Sequence, residues 1–294
     1  MLIIAKVNAI NTSDGVYNVA VKDKENSYNV KVNPVLGYTF VIGQVYEFDV
    51  TKVEGTERIS YNLNSAKHID EFDIEKKEAT LREFFPAAPI DSKDAKPEVY
   101  KYIDKIENKI IKEITEQLIK ENEDEFFIYP AASKMHHAYV GGLAYHSIGM
   151  LHFADGFIEN YPYLNKDYIY AGILLHDIGK TIELSGAVNT EYSLKGQLLG
   201  HLVLGAMQIE AKAKELGYEN SEEALLLEHM LISHHGQPMF GSAKKPMTAE
   251  ALVLWYIDTI DSKFRVLGEE LSKTPDKEFT DSIGVLDRTK IYKA

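Results

Sequence analysis

The sequence predicts a multidomain α+β protein in which a small N-terminal β-barrel precedes an all-α helical bundle. Two observations carry this prediction: short runs rich in Val, Ile and Tyr fill residues 1–68, and helical apolar periodicity follows to about residue 267. The chain has 294 residues and 45% hydrophobic content, enough for two domains of ordinary size. We therefore predict a β-domain at 1–68, a linker or crossover at 69–98, a helical domain at 99–270 and a C-terminal tail at 271–294.

Five short segments predict the strands of the β-domain. They are IIAKVNAI, VYNVAVKD, SYNVKVN, QVYEFDVTKV and ISYNLNSA, and each alternates in part between apolar and polar residues. The turn-forming stretches NTSDG, KDKEN and VEGTE separate them. Five short strands in a segment of this size favour a small barrel or sandwich, and an OB-like barrel is the leading candidate.

The pattern becomes helical after His68. The stretch EVYKYIDKIENKIIKEITEQLIKEN predicts a charged helix, because its apolar residues recur every three or four positions, at Val99, Ile103, Ile106, Ile110, Ile114 and Leu118. The Pro- and Ala-rich FFPAAPIDSKDAKP before it is predicted to be the linker or crossover. A series of helices with short breaks and no strand is expected up to about residue 267. The polar SKTPDKEFTDSIGVLDRTKIYKA is predicted to be a loosely held tail.

Composition excludes several classes of protein. The chain has no cysteine, which excludes disulfides, thiolate metal sites and a cysteine nucleophile, and which suits a reducing cytoplasm. The N-terminal MLIIAKVNAINTSDG lacks the basic and long apolar regions of a signal peptide. No run approaches the roughly 18 apolar residues that a membrane span needs. We expect a soluble cytoplasmic protein with no membrane partner.

The charge is unevenly distributed. The formal net charge is −13, yet residues 1–68 contain seven Lys/Arg and seven Asp/Glu, so the whole excess lies downstream. A broad basic surface supplies most non-specific affinity for nucleic acid, and this chain does not have the composition for one. A nucleic-acid substrate would therefore need a local basic groove.

Polar metal-ligating residues lie in five predicted helices of otherwise apolar sequence. Nine of the ten histidines fall between residues 136 and 235. The helical segments carry His146 in GGLAYHSIGML, His176 and Asp177 in LLHDIGK, His201 in GQLLGHLVLGA, His229, His234 and His235 in LLLEHMLISHHG, and Asp258 and Asp261 in EALVLWYIDTIDSKF. Burying so many polar side chains is costly unless something satisfies them together, and a metal pair does so. Nitrogen and oxygen donors without sulfur suit Mn, Fe, Co, Ni or Zn.

These residues resemble a known signature. His146, then His176 and Asp177, then Asp258 reproduce the H…HD…D order of the HD-domain metal-dependent phosphohydrolases, and His201 with His234-His235 matches the positions that bind a second ion in two-metal members. The ordered segments HHAYVGGLAYHS, LLHDIGK, GHLVLG, ISHHG and YIDTID resemble the YhaM-type 3'-5' exoribonucleases of Gram-positive bacteria, which join an OB-fold to an HD domain. The resemblance covers about residues 126–265 well and the N-terminal segment loosely.

The resemblance implies a ligand set and two catalytic residues. Adjacent helical residues point about 100° apart, so His176 can bind one ion while Asp177 bridges two. Lys180, one turn after Asp177 on the same side, is expected to contact a phosphate oxygen, which makes Asp177 and Lys180 the catalytic candidates. The expected metal ligands are His146, His176, Asp177, His201, His234, His235 and Asp258, and the expected substrate-binding residues are Lys180, His137, Lys244 and Lys245.

Two choices among histidines stay open. His137 competes with His146 as the first ligand, but the two lie nine residues apart, half a turn out of phase on a continuous helix. We favour His146 because it follows Gly141-Gly142, and we expect His136 and His137 either to lie at the rim of the site or to have a structural role. The sequence also does not decide between His234 and His235.

The function that the resemblance implies is a metal-dependent phosphodiesterase, namely a 3'-5' exoribonuclease that acts on single-stranded RNA, with single-stranded DNA as a further candidate substrate. It would use two ions, with Mn, Co or Fe favoured over Mg. An alternative is an HD-type phosphohydrolase of nucleotides or another small phosphate ester, in which the β-domain is a lid or the contact of a homo-oligomer. A second alternative is a nucleic-acid-binding module with a vestigial HD site, and the complete ligand set argues against it.

Overall fold

The computed structural model describes residues 1–13, 16–54, 59–132 and 139–294. The chain divides into two compact units, Met1–Ala87 and Ala88–Ala294. The first unit contains a five-stranded barrel and the second is helical. Within the described residues, no helix combines the length and the apolar character that crossing a membrane requires.

The strands of the first unit close into a barrel. They are β1 (Leu2–Ser13), β2 (Val16–Lys22), β3 (Ser27–Val32), β4 (Val45–Lys52) and β5 (Tyr61–His68). The order around the barrel is β1-β2-β3-β5-β4, and β4 pairs with β1 to close it, with Leu2 opposite Asp49. All neighbours are antiparallel except β3 and β5. The predicted OB-like barrel is therefore confirmed, with all five strands close to their predicted positions.

Alternation along the strands fills the barrel. Ile3, Ala5 and Val7 of β1 are buried while the residues between them are more exposed, as the two-residue period of a strand requires. Phe48 of β4 is among the largest fully buried side chains. One helix, α1 (Ile74–Phe84), follows the barrel within this unit.

The second unit is a helical bundle, as predicted. Its helices are α2 (Ser92–Asp104), α3 (Lys109–Glu121), α4 (Glu123–Ile128), α5 (Gly142–Asn160), α6 (Lys166–Leu175), α7 (Lys180–Glu183), α8 (Leu194–Leu216), α9 (Glu222–Ser233) and α10 (Ala249–Lys273). Polar side chains begin several of them: Asn108, Asn165, Ser193, Ser221 and Thr248 each accept a hydrogen bond from a backbone N–H of the first turn. Buried Leu, Ile, Ala and aromatic residues of α2–α6 and α8–α10 form one continuous core.

Three segments differ in detail from the sequence-based expectation. The stretch 98–122, expected as one helix, is split into α2 and α3, because the Asn108 side chain caps a new helix start. The stretch 69–98, expected as a linker, contains α1 and the first turns of α2. The polar tail 271–294 completes α10 and then folds back on itself through the bridges Phe279–Tyr292 and Ile283–Thr289, and Ile283 is buried. Hydrogen-bonded pairing thus holds a segment that has little apolar periodicity.

Candidate metal centre

Five elements of the helical unit bring the predicted ligands together. His146 lies in the second turn of α5, His176 and Asp177 follow the last turn of α6, and His201 lies in α8. His234 and His235 follow α9, and Asp258 lies in the middle of α10. Four of these side chains are buried, namely His146, His176, Asp177 and His234, whereas His201, His235 and Asp258 are partly exposed.

The donor atoms form two groups that share one carboxylate. His146, His176 and Asp177 each place one donor atom within 4.8 Å of the others, and His201, His234 and His235 do the same. Asp177 faces both groups. Its Oδ2 lies 3.2 Å from Nε2 of His176, and its Oδ1 lies 3.4 Å from Nε2 of His201 and 3.9 Å from Nε2 of His234.

Each of the five imidazoles is oriented through its Nδ1 atom. Nδ1 contacts Oδ2 of Asp261 in His146 (2.7 Å), the Ile173 carbonyl in His176 (2.7 Å), the Glu183 carboxylate in His201 (3.1 Å), the Leu231 carbonyl in His234 (2.7 Å) and the Phe240 carbonyl in His235 (2.8 Å). A carbonyl oxygen can only accept, so Nδ1 carries the proton in the three rings that face carbonyls. The Nε2 lone pair of these rings is then available to a cation, which is the arrangement that metal-ligating histidines adopt.

Four donor atoms fit a metal because, although they lie close to one another, they have no hydrogen-bond partner. Among the described residues, Nε2 of His176, His201 and His234 and Oδ1 of Asp177 are buried and accept or donate no hydrogen bond. An unsatisfied buried polar atom costs about 1–3 kcal/mol, and these four converge on the two groups defined above. Bound cations would satisfy all four together, so the residues present fit a metal site.

The charges of the site are set by burial and by close partners. Burial raises the pKa of Asp177, but the Lys180 ammonium and the His176 imidazole lower it more, so its pKa lies well below the usual range. Burial lowers the pKa of His234, and His235 and His176 lower it further, so this ring is neutral. A neutral imidazole next to an ionised carboxylate is the protonation state that metal binding needs.

His146 differs from His234 in its pKa. Burial lowers its pKa, but hydrogen bonds to Asp258 and Asp261 raise it to about 9. Nε2 lies 3.2 Å from Oδ1 of Asp258, whose own pKa falls below its usual range because the favourable contact with His146 outweighs burial. A cation binding to Nε2 must therefore displace a proton from His146.

Two residues that the sequence did not reveal position His201. The Glu183 carboxylate accepts a hydrogen bond from the backbone N–H of His201 at 3.0 Å and contacts its ring. The backbone of α8 departs from helical geometry just before, at Gly200, where φ is 71°. Gly179 lets this backbone approach, since a Cβ there would lie 2.1 Å from the His201 carbonyl oxygen. No spacing rule links residues so far apart, and neither Glu183 nor Gly179 was predicted from the sequence.

Asp261 contacts two side chains, the His146 ring and the Arg265 guanidinium. It accepts from His146 through Oδ2, and its Oδ1 lies 3.4 Å from Nε of Arg265, one turn further along α10. Arg265 also donates to the hydroxyl of Tyr145 at 2.7 Å. The orientation of His146 thus depends on a carboxylate that is itself held in place.

The predicted substrate-binding residues are less completely defined. The Lys180 ammonium donates to Oδ2 of Asp177 at 2.6 Å and to the Ala131 carbonyl, which places it beside the ligand that faces both groups. Lys244 and Lys245 are exposed in the loop between α9 and α10. His136 and His137 lie outside the described residues, so the choice of His146 over His137 as first ligand, like the substrate contacts, stays a prediction.

The fold and the site define a class of protein. A helical bundle that presents an ordered H…HD…D set is characteristic of HD-domain metal-dependent hydrolases, and the HD domain family model matches residues 143–263. The chain is 43% identical over 213 residues to the 3'-5' exoribonuclease YhaM of Geobacillus sp. (strain WCH70), covering 72% of this chain and 65% of that protein. It is 42% and 40% identical over 219 residues to the proteins of the same name from Bacillus licheniformis and Bacillus subtilis, covering 74% of this chain and 69% of each.

The chain therefore belongs to the YhaM family of HD-domain proteins. The aligned region spans about two thirds of the length of these relatives. The resemblance predicted from the ordered histidine motifs is confirmed.

Proposed function

We propose that this chain is a metal-dependent phosphodiesterase that shortens single-stranded RNA from its 3' end. The observation that carries the proposal is the pair of histidine groups on either side of Asp177, in which four buried donor atoms have no hydrogen-bond partner. Membership of a family whose curated members are named 3'-5' exoribonuclease supports the polarity and the substrate. The absence of cysteine from the sequence suits a cytoplasmic location.

The proposal includes two cations per chain. His146, His176, Asp177 and Asp258 would hold one, and His201, His234 and His235 with Asp177 would hold the other. The mixture of imidazole nitrogen and carboxylate oxygen favours Mn, Co or Fe over Mg. Bound ions of this kind lower the pKa of a coordinated water and neutralise charge on a phosphate.

The protein's own groups prepare the site for a phosphodiester. Asp177 is ionised and fixed by Lys180, so its two oxygens keep their opposite orientations. The Lys180 ammonium supplies positive charge beside the position where the phosphate oxygens are expected. The buried rings of His146, His176 and His234 exclude bulk water from one side of the site, which strengthens the electrostatic interactions there.

A cleavage assay with end-labelled RNA distinguishes this function from its alternatives. The protein loaded with Mn²⁺ is incubated with single-stranded RNA labelled at its 5' end, with single-stranded DNA and with a panel of mononucleotides. A ladder that shortens from the 3' end is the expected result. Release of phosphate from mononucleotides alone would identify a small-ester phosphohydrolase instead, and stoichiometric RNA binding with no cleavage would identify a binding module.

A further inference from the structure

The candidate ligands differ in their exposure to solvent. His146, His176, Asp177 and His234 are buried, whereas the ligands of intermediate exposure are His201, His235 and Asp258. A substrate must therefore approach past the partly exposed ligands. The side chains that stand next to these ligands and also face solvent are the candidates for substrate contact.

An exposed aromatic residue lies close in the chain to one of the partly exposed ligands, His235. The turn Pro238–Phe240 follows His235, and Nδ1 of His235 donates a hydrogen bond to the Phe240 carbonyl at 2.8 Å. The Phe240 N–H donates to the Gln237 carbonyl at 2.9 Å, so the backbone of Phe240 is held at both its polar atoms. The side chain, in contrast, is 60% exposed. The protein thus orders the backbone under a large apolar ring without burying the ring.

The same segment carries an exception to the acidic charge of the chain. Residues 236–249 contain Lys244 and Lys245 and no Asp or Glu, although the whole chain has a net charge of −13. Both lysines are exposed. An exposed aromatic ring combined with cations along one segment is the composition with which proteins bind single-stranded nucleic acid, since rings stack on bases and cations follow the phosphates.

We propose that Phe240 is a stacking platform for a nucleobase of the single-stranded substrate, with Lys244 and Lys245 facing phosphates of the same strand. This inference rests on the proposed function and names the part of the site that grips the substrate. Stacking accepts every base, because every base has a π-face, so the platform suits a nuclease that degrades many sequences. In a duplex the bases cover each other, and the ring then favours unpaired strands.

Binding without turnover tests the platform directly. The affinity of the chelator-treated protein for 5'-fluorescein-labelled oligoribonucleotide is measured by anisotropy, for wild type, Phe240→Ala and Phe240→Trp. The matched control is Tyr163→Ala, which removes a ring that is 75% exposed and lies before α6, at the opposite end of that helix from His176. Metal content of each variant after reloading shows whether the cluster is intact.

We expect Phe240→Ala to weaken RNA binding by roughly 5- to 150-fold, which corresponds to about 1–3 kcal/mol per stacked base. Phe240→Trp restores affinity, Tyr163→Ala leaves it unchanged, and metal content is unchanged in all three. In steady-state assays the Ala variant raises KM for RNA far more than it lowers kcat. The wild type is expected to bind an oligonucleotide with abasic residues at its 3' end more weakly than the intact one, by a similar factor. Phe240→Ala is expected to bind the abasic and the intact oligonucleotide with equal affinity.

Two results would overturn the platform. One is equal affinity of wild type and Phe240→Ala for intact RNA, and the other is a change of oligomeric state in Phe240→Ala with RNA affinity retained, which would make the ring a protein contact. Failure of the proposed function has a different signature. If wild type does not shorten RNA but still shows the abasic effect through Phe240, the platform stands and the exonuclease activity does not.

Discussion

Glu183 holds His201 by both its backbone and its ring. One carboxylate oxygen accepts a hydrogen bond from the backbone N–H of His201 at 3.0 Å, and the other lies 3.1 Å from Nδ1 of the ring. Glu183 ends the short helix α7 and is buried, so the contact is shielded from water. A residue 18 positions earlier in the chain therefore determines where Nε2 of this candidate ligand points.

Removing the charge of Glu183 is expected to weaken metal binding. In Glu183→Gln an NH₂ donor replaces one of the two accepting oxygens. The His201 ring then loses part of its orientation and basicity. Loss of such a supporting partner lowers metal affinity by about 10- to 100-fold, and we expect this range by isothermal titration with Mn²⁺. Glu191→Gln, which alters an exposed carboxylate near the same helix, is the control. Equal affinities of the two variants would contradict the role of Glu183.

Close approach of backbones at Gly179 predicts a stability effect. In Gly179→Ala the new Cβ would lie 2.1 Å from the His201 carbonyl oxygen and 2.7 Å from the Gly205 nitrogen. Neither backbone atom can move as freely as a side chain. We therefore expect the free energy of unfolding to fall by about 1–3 kcal/mol, as at other overpacked sites. Denaturant unfolding measures it. Gly186→Ala is the matched control, because a Cβ there meets no atom within 4 Å; similar stabilities would contradict the prediction.

These two positions show why the sequence indicates the clustered His and Asp side chains but not the residues that support them. His176 and Asp177 are visible because a polar pair interrupts an apolar helix, and the barrel strands are visible because alternation is local. Glu183 and Gly179 act on His201 through contacts between elements, which no periodicity encodes. The Gly200 distortion within α8 is likewise invisible, since a lone glycine in a helical pattern is usually tolerated. The helix break at Asn108 was missed for a related reason: apolar spacing continues across it.

A carboxyl pair between α8 and α9 predicts a pH effect that does not depend on metal. Burial and a hydrogen bond with Glu210 raise the pKa of Glu228 to about 7. The folded protein then holds a proton that the unfolded chain releases above its ordinary pKa of 4.5, so stability falls as pH rises from about 4.5 to 7. Glu228→Gln removes this dependence and is expected to stabilise the protein at pH 8.

The expected gain in stability is small because Glu228 is only partly buried. The shift to about 7 corresponds to about 3 kcal/mol without screening, and discounting for solvent reduces it to about 1 kcal/mol. Urea unfolding of chelator-treated protein at pH 5 and pH 8 measures it, with Glu219→Gln as an exposed control. If Glu228→Gln and the wild type have the same free energy of unfolding at pH 5 and at pH 8, the Glu210–Glu228 contact does not retain a proton.

Because Asp177 lies between the two histidine groups, we expect its substitution to change the number of metal ions bound per chain. Its Oδ1 and Oδ2 face different groups, and only a carboxylate offers an acceptor on both sides. In Asp177→Asn one side becomes an NH₂ donor, which repels a cation, and the Lys180 ammonium loses its ionic partner. We expect the metal content of the reloaded variant to fall by at least one ion per chain and RNA cleavage to be lost. Asp104→Asn, an exposed carboxylate of α2, should keep the content and activity of the wild type. Retention of the full wild-type metal content by Asp177→Asn would show that the two groups bind metal independently and that the shared carboxylate does not join them.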